Sequence, residues 1–218
     1  CRSLAAEDAA TRSRPAGVVD VKRILVVGED ALCCALGEKL VAAALPGWSL
    51  AGPAIDTKGV TKLIPALPLY SEQAQFVQPV LCIADTDGQC VKQWLQKNVP
   101  ARSHKNMLVR LAVNEAESWL MADQEGFAQG LQVEKRRLPR SPDDVLDAKA
   151  AVLVALSKSR QRYIREEAVS RSNPFRQGSG YNIHLCAFVK SHWSVERARS
   201  SSPSLERAVK HLQRMAND

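Results

Sequence analysis

Hydrophobic positions along this chain switch between two spacings, beginning at Lys22. Ile24-Leu25-Val26-Val27 is an unbroken apolar run ended by Gly28, the pattern of a strand buried on both faces. Ala31 to Ala44 then carries apolar residues at helical spacing and closes on Pro46-Gly47. Trp48 to Ile55 reads as a second strand, and Thr57 to Leu67 as a short helix or a loop. Val80-Leu81-Cys82-Ile83-Ala84 is another bare apolar strand, running into Asp85-Thr86-Asp87-Gly88. Val91 to Lys97 is helical, Met107 to Val113 is a strand, and Asn114 is placed to cap a helix from Glu115 to Asp123. Strands alternating with helices predict a parallel sheet covered on both faces.

The pattern then changes. Helices are expected near 142–158, 160–170, 183–191 and 203–215, with a glycine-containing loop at 178–180. The predicted architecture is a three-layer α/β core with a mostly parallel sheet over 21–131, and a basic helical region over 132–218 packed on it. Residues 1–20 are rich in Ala, Arg and Ser, lack an apolar core and are too polar for a signal peptide, so a mobile extension is expected there. No run of 18 apolar residues occurs, which predicts no membrane-spanning helix.

Composition adds little except through charge. With 45% apolar residues the chain can bury a sizeable core, which excludes wholesale disorder. Its net charge of +7 is unevenly spread. Residues 21–131 hold ten basic and eleven acidic side chains, whereas residues 132–218 hold seventeen basic and nine acidic. Such asymmetry suits a surface that meets a polyanion, and equally a solvated face that serves solubility. The six cysteines form no CxxC pair, and the four histidines do not cluster, so a structural zinc site is not expected. Cys33, Cys34 and Cys82 lie in apolar runs, which fits a reducing, cytoplasmic compartment.

Candidate chemistry gathers at strand ends. In open parallel sheets the functional crevice lies beyond the carboxyl ends of the strands. Glu29 and Asp30 follow the first strand, Asp85 and Asp87 the 80–84 strand, and Glu115 and Glu117 the 107–113 strand. Strand alternation would put Asp85 and Asp87 on one side. Converging carboxylates repel one another, and a hard divalent cation such as Mg²⁺ removes that penalty with two or three of them. The competing role for each acid is capping the next helix, which fits Asp30, Asp87 or Glu115. Glu115 and Glu117 stand two apart, so both reach one ion only if a helix starts between them. Trp94 and Trp119 sit at helical spacing among apolar neighbours and read as core. Gly178-Ser179-Gly180 fits a phosphate cradle or a plain turn. The absence of GxSxG, of a Walker loop and of GxGxxG disfavours serine hydrolysis, nucleotide hydrolysis and dinucleotide redox chemistry.

These residues resemble the TOPRIM fold, a Rossmann-like α/β arrangement found in topoisomerases, primases and OLD-family nucleases. More closely, the chain resembles small bacterial TOPRIM-like proteins, some encoded beside ATPases in presumed anti-phage systems. The matching segments are Val27-Gly28-Glu29-Asp30-Ala31-Leu32, Ala84-Asp85-Thr86-Asp87 and Asn114-Glu115-Ala116-Glu117-Ser118-Trp119-Leu120-Met121-Ala122-Asp123. Ala148-Lys149, Gly178-Ser179-Gly180-Tyr181-Asn182 and Ser202-Pro203-Ser204-Leu205-Glu206-Arg207-Ala208 follow. The chain departs from the pattern in having Gly28 before rather than after Glu29, Asn114 where arginine is common and Ala148 where proline is common.

The resemblance implies that Glu29, Asp85 and Asp87 bind Mg²⁺ or Mn²⁺, with Glu117 or Glu115 as an added ligand or base. It implies that Lys149 and Arg165 face the same crevice. The expected activity is a metal-dependent phosphodiesterase on DNA or RNA. The alternative is a catalytically silent module that docks on a partner ATPase.

Overall fold

A computed structural model describes residues 21–217, and the extension expected at 1–20 lies outside them. Five parallel strands form the sheet: β1 (Arg23–Gly28), β2 (Ser49–Leu50), β3 (Ile55–Asp56), β4 (Val80–Asp85) and β5 (Met107–Ala112). β1 lies between β4 on one side and the short β2 and β3 on the other, and β5 pairs with the far side of β4.

The single strand expected over Trp48–Ile55 is two short pieces. Ser49-Leu50 pairs with the start of β1 and Ile55-Asp56 with its end, leaving four residues, Ala51 to Ala54, opposite Leu25 and Val26. Pro53 has no N–H to give to a ladder, so the extra residues leave it as a bulge.

The helices sort onto the two faces. α1 (Ala31–Ala44) covers one face; α2 (Val60–Phe76) and α3 (Val91–Asn98) cover the other. α2 is much longer than the helix-or-loop expected at Thr57–Leu67 and contains Pro65 and Pro68. Leu63, Leu67, Tyr70 and Ala74 form a buried stripe against the sheet, while both prolines are exposed, so the carbonyls they leave unbonded reach water. Burial of the stripe outweighs the propensity cost.

The helix expected from Glu115 to Asp123 is α4 (Ala116–Ala122), and a further helix, α5 (Gln124–Gly130), follows it, its start capped by the Asp123 carboxylate, which accepts the Gly126 N–H at 2.9 Å. Asn114 is not the cap of α4; that position belongs to Glu115. The helix expected at 142–158 is interrupted: a single 3₁₀ turn at Pro142–Asp144 precedes α6 (Ala148–Leu156), whose cap is Asp147. α7 (Arg162–Ala168), α8 (Tyr181–Ser191), α9 (Val195–Arg199) and α10 (Pro203–Asn217) complete the chain. α5 and α9 were not apparent from periodicity, being only seven and five residues long. No helix among the described residues is long and apolar enough to cross a membrane.

The helices beyond residue 131 share their core with the sheet. Ile24, Val26, Leu81 and Ile83 on one face of β1 and β4 join α1, α4, α6, α8 and α10 in a single hydrophobic cluster. The opposite face, with Leu25, Val27, Cys82 and Val109, packs on α2 and α3. Trp119 is fully buried, donates its indole N–H to Ser204 Oγ at 2.7 Å, and accepts the Trp193 indole N–H at its carbonyl at 2.9 Å. Trp94 is buried beneath the other face.

Asp123 fastens the two parts polar-to-polar. It is 0% exposed and receives Arg197 through Nε and Nη2, both at 2.7 Å, together with the Ser194 N–H at 2.8 Å. Replacing it leaves a guanidinium and two amides unpaired. Asp123→Ala is expected to lose about 1–3 kcal/mol of unfolding free energy, the cost of leaving the buried amides unpaired while the half-exposed Arg197 meets water, measured by denaturant titration; a loss within about 0.5 kcal/mol, the scale of an ordinary surface change, contradicts this role.

Candidate functional site

The strand order creates a crevice at one place. From β1 the chain crosses by α1 to β2 on one side, then by α2 on the opposite face to β4 on the other side. The connections leaving β1 and β4 therefore diverge, and the space beyond their carboxyl ends is the topological switch point of the sheet. Glu29 follows β1 and Asp85 ends β4.

Glu29 is firmly placed by its backbone. Its N–H donates to Ile83 O at 2.9 Å, and its carbonyl accepts Gly59 N–H at 2.8 Å and Thr57 Oγ1 at 3.2 Å. Gly59 has φ +114°, a conformation that L side chains rarely adopt, and it lets the start of α2 fold back onto Glu29. The Glu29 carboxylate crosses to β4, where Oε2 accepts the Asp85 N–H at 3.1 Å. Asp85 in turn reaches the third segment: its Oδ1 accepts the Ala116 N–H at 2.8 Å, at the start of α4. The Cys33 thiol also approaches this Oδ1, at 3.9 Å, whereas Oδ2 takes no hydrogen bond within the described residues.

Glu115 and Glu117 meet the condition that sequence spacing imposes. α4 begins at Ala116, between them. Glu115 Oε2 accepts the Lys149 backbone N–H at 2.7 Å, and thereby caps α6 rather than its own helix. Glu117, only 3% exposed, accepts the Tyr181 hydroxyl at 2.9 Å. Lys149 Nζ stands 3.8 Å from Glu115 Oε1 and 3.9 Å from Glu117 Oε1. Asp30 caps α1 through Cys33 N–H at 2.8 Å. Carboxylates thus sit at the starts of α1, α4 and α6, where helix dipoles favour negative charge.

Asp87 departs from the strand expectation. β4 ends at Asp85; Asp87 lies in the turn after it with φ +48°, and is exposed, while Thr86 is buried. Strand alternation therefore does not relate Asp85 to Asp87, although the Asp87 charge is still felt by Glu29. Nor does Asp87 cap α3, whose cap position is Cys90. Asn114 ties the turn down: its carbonyl accepts Asp87 N–H at 2.9 Å, and its Nδ2 donates to Val145 O at 2.6 Å.

Arg165 falls elsewhere than expected, and Gly178-Ser179-Gly180 takes the plain-turn reading. Arg165 donates to the Ser159 carbonyl rather than meeting the acids. Gly178-Ser179-Gly180 is a turn packed on the end of α7. The Gly178 and Gly180 N–H groups are taken by the Ala168 and Glu167 carbonyls, each at 2.9 Å, and a Cβ on Gly178 would stand 2.2 Å from Glu167 O. Those amides have nothing left for a phosphate. Tyr181 is the participant that sequence reasoning gave no role; it lies 64 residues from Glu117, and only the fold joins them.

The electrostatics are those of crowded negative charge. Burial lifts the Glu29 carboxyl above its ordinary value, with Asp87 and Asp30 adding to the rise against the pull of the Asp85 amide. Burial, then the charges of Glu117, Glu29 and Asp30, raise Asp85 well above 3.8, and Lys149 opposes them. Burial raises Glu117 as well, despite Lys149 and the Tyr181 hydroxyl. Burial pulls the Lys149 ammonium down, but Glu117, Glu115, Asp85 and Asp30 together hold it above its ordinary value.

Among the described residues no three or more His, Cys, Asp or Glu side chains form a group that could hold a metal ion. The donor chemistry nevertheless suits Mg²⁺, which binds through one or two carboxylates and completes its octahedron with water and substrate oxygens. Glu29 and Asp85, with Oδ2 available, supply that number. A cleft of about 630 Å³ is lined by Asp87, Asn114, Glu115, Asp147 and Lys149; Glu29, Asp85 and Glu117 do not line it. No family model, no curated protein and no solved structure matches the chain.

The raised carboxyls fix the sign of a pH effect. Folded Asp85 keeps its proton to higher pH than the unfolded chain, so stability falls as pH rises from about 3.8 through the folded value, and the penalty is complete above it. Asp85→Asn keeps the Oδ1 acceptor and removes the charge. Its melting temperature is expected to exceed the wild type's near neutral pH in EDTA, by ~2–4 °C per kcal/mol relieved, and to match it below about pH 3.8. Calorimetry that finds the variant less stable at neutral pH contradicts the repulsion.

Proposed function

We propose that this protein is a Mg²⁺-dependent phosphodiesterase acting on DNA or RNA, built on a TOPRIM-like core. The observation that carries the reading is the contact of Glu29 with Asp85 beyond the ends of β1 and β4, at the switch point of a parallel sheet, with the charges of Glu117 and Lys149 close enough for Asp85 to feel both. Carboxylates that raise one another's proton affinity shed that penalty by keeping a proton or by taking a cation among them. Lys149 provides one positive charge for at least three negative ones.

In this reading Glu29 and Asp85 hold the ion, and Asp87 borders it from the exposed turn. A bound Mg²⁺ supplies Lewis-acid polarisation of a phosphoryl oxygen and a lowered pKa for attacking water. Glu117, with its proton affinity raised, would be the group to accept a proton, its carboxylate oriented by the Tyr181 hydroxyl. Lys149 neutralises the acids in the free protein and meets phosphate charge in the complex. Glu115 keeps the start of α6, and so Lys149, in register. The basic surface of residues 132–218 holds backbone phosphates with little sequence preference. Function within a bacterial defence system beside an ATPase is the setting this reading assigns.

One observation favours a second reading, the catalytically silent module docked on an ATPase. Glu115 and Glu117 are already engaged within the chain by Lys149 and the Tyr181 hydroxyl, which leaves two carboxylates for an ion. Cleavage separates the two. Wild type with Mg²⁺ or Mn²⁺ is expected to cut plasmid DNA or tRNA, EDTA to stop it, and Asp85→Ala to lower the rate by roughly 10²-fold or more, since the ion contributes several kcal/mol at about 1.36 kcal/mol per factor of ten. No cutting by wild type, alone or with its genomic neighbour, supports the module. Binding is expected to weaken linearly in log–log against salt; a flat dependence contradicts the role given to the basic surface.

A further inference from the structure

The cleft beside the carboxylates has walls of a different character from its floor. Two large apolar side chains from separate segments line it: Leu146, 88% exposed, just before α6, and Phe175, 65% exposed, in the loop between α7 and α8. The Phe175 loop is a preformed hairpin. Val169 and Gln177 form an antiparallel bridge, Ser170 N–H donates to Arg176 O at 2.9 Å, and Phe175 N–H is held by Asn173 Oδ1 at 2.9 Å. Its base is fixed by Gly178, which packs on the Glu167 backbone so closely that no side chain fits.

Two exposed arginines share the hairpin with Phe175, and neither lines the cleft itself. Arg176 follows Phe175 directly, is exposed and enters no ion pair among the described residues. Arg171, at the other end of the hairpin, has a side chain 82% exposed and pairs only loosely with Glu166, at 3.8 Å. An exposed aromatic with cations on its own hairpin, at the rim of a floor formed by Asp87, Glu115, Asp147 and Lys149, has the parts that hold a single strand: a base stacks on the ring and the neighbouring phosphates meet the arginines outside the acidic floor. A paired base offers no face to such a ring. The cleft volume, about 630 Å³, falls in the range of roughly 300–1,000 Å³ typical of small-ligand sites, room enough for a nucleotide.

We propose that the 169–177 hairpin is a strand clamp, in which Phe175 stacks on an unpaired base and Arg171 and Arg176 hold adjacent phosphates, so that the ligand of this cleft is single-stranded nucleic acid. The proposal rests on the phosphodiesterase reading for what happens to the strand, and on the cleft itself for its binding. Leu146 closes the opposite wall against the sugar or base edge.

The test is fluorescence anisotropy of labelled single-stranded oligonucleotides, DNA and RNA, and of the same sequence as a blunt duplex, with Ca²⁺ in place of Mg²⁺ to permit binding without cleavage. The wild type is expected to prefer the single strand. Phe175→Ala is expected to weaken that binding by roughly tenfold or more, with duplex binding changed less than about twofold, and Phe175→Trp to restore it. A 2-aminopurine base in the strand should be quenched by wild type and not by Phe175→Ala. Equal single-strand binding by wild type and Phe175→Ala, a wild-type preference for duplex, or no binding of either overturns the clamp. The two claims fail separately. Asp85-dependent cutting with unchanged strand binding in Phe175→Ala sinks the clamp alone, whereas Phe175-dependent strand binding without metal-dependent cutting sustains the clamp and sinks the phosphodiesterase.

Discussion

Negative charges brought together out of water repel one another, and here the fold holds several such charges beyond the ends of β1 and β4. Glu29 is pinned by three main-chain hydrogen bonds, Asp85 is held by the first amide of α4, and Glu117 is buried against Tyr181. None of these carboxylates is free to swing away. Their positions are fixed by strands whose register is set by burial on both faces, so the repulsion is built in when the sheet forms. What relieves it is limited: helix N-termini, backbone amides and the single ammonium of Lys149. A site kept short of positive charge is one that gains from binding a cation, and stability lost there is the usual counterpart of function.

The relief comes from the part of the chain that looks like an appendage. Lys149 lies on α6 and Tyr181 on α8, both beyond the last strand. These helices belong to the hydrophobic cluster of α1 and the sheet, and Asp123 with Arg197 locks the two regions together through a buried carboxylate. The acids come from the α/β portion and the cation from the helical portion, so neither alone contains the site. The same helical portion carries the excess basic charge and the hairpin bearing Phe175, which places the surface suited to a polyanion next to the acidic crevice.

How much of this can be read in the sequence follows from the range of each interaction. β1 and β4 are legible because double-sided burial forces continuous apolar runs, and β5, at the sheet edge, because its mainly apolar residues stand out around Arg110. The acids at their ends are legible because the switch-point rule ties position to chain order. The start of α4 between Glu115 and Glu117 was stated as a condition, and it is met. Local signals misled where tertiary burial decided: Pro65 and Pro68 disguised α2, and Pro53 hid the break between β2 and β3. Asp87 read as a strand residue because period two was carried past the end of β4 into a turn of positive φ. The contact of Tyr181 with Glu117 and the distance of Arg165 from the acids depend on how α7 and α8 pack, and no spacing encodes that.

The central claim is that Glu29 and Asp85 form a cation site that the rest of the chain leaves under-neutralised. Titration calorimetry with MgCl₂ on the full chain, compared with the Glu29→Gln/Asp85→Asn double variant, addresses it most directly. The account predicts a saturable isotherm near one ion per chain, on the order of what two carboxylates can hold, and its loss in the variant. No saturable binding by the wild type, or binding that survives both substitutions unchanged, would contradict it.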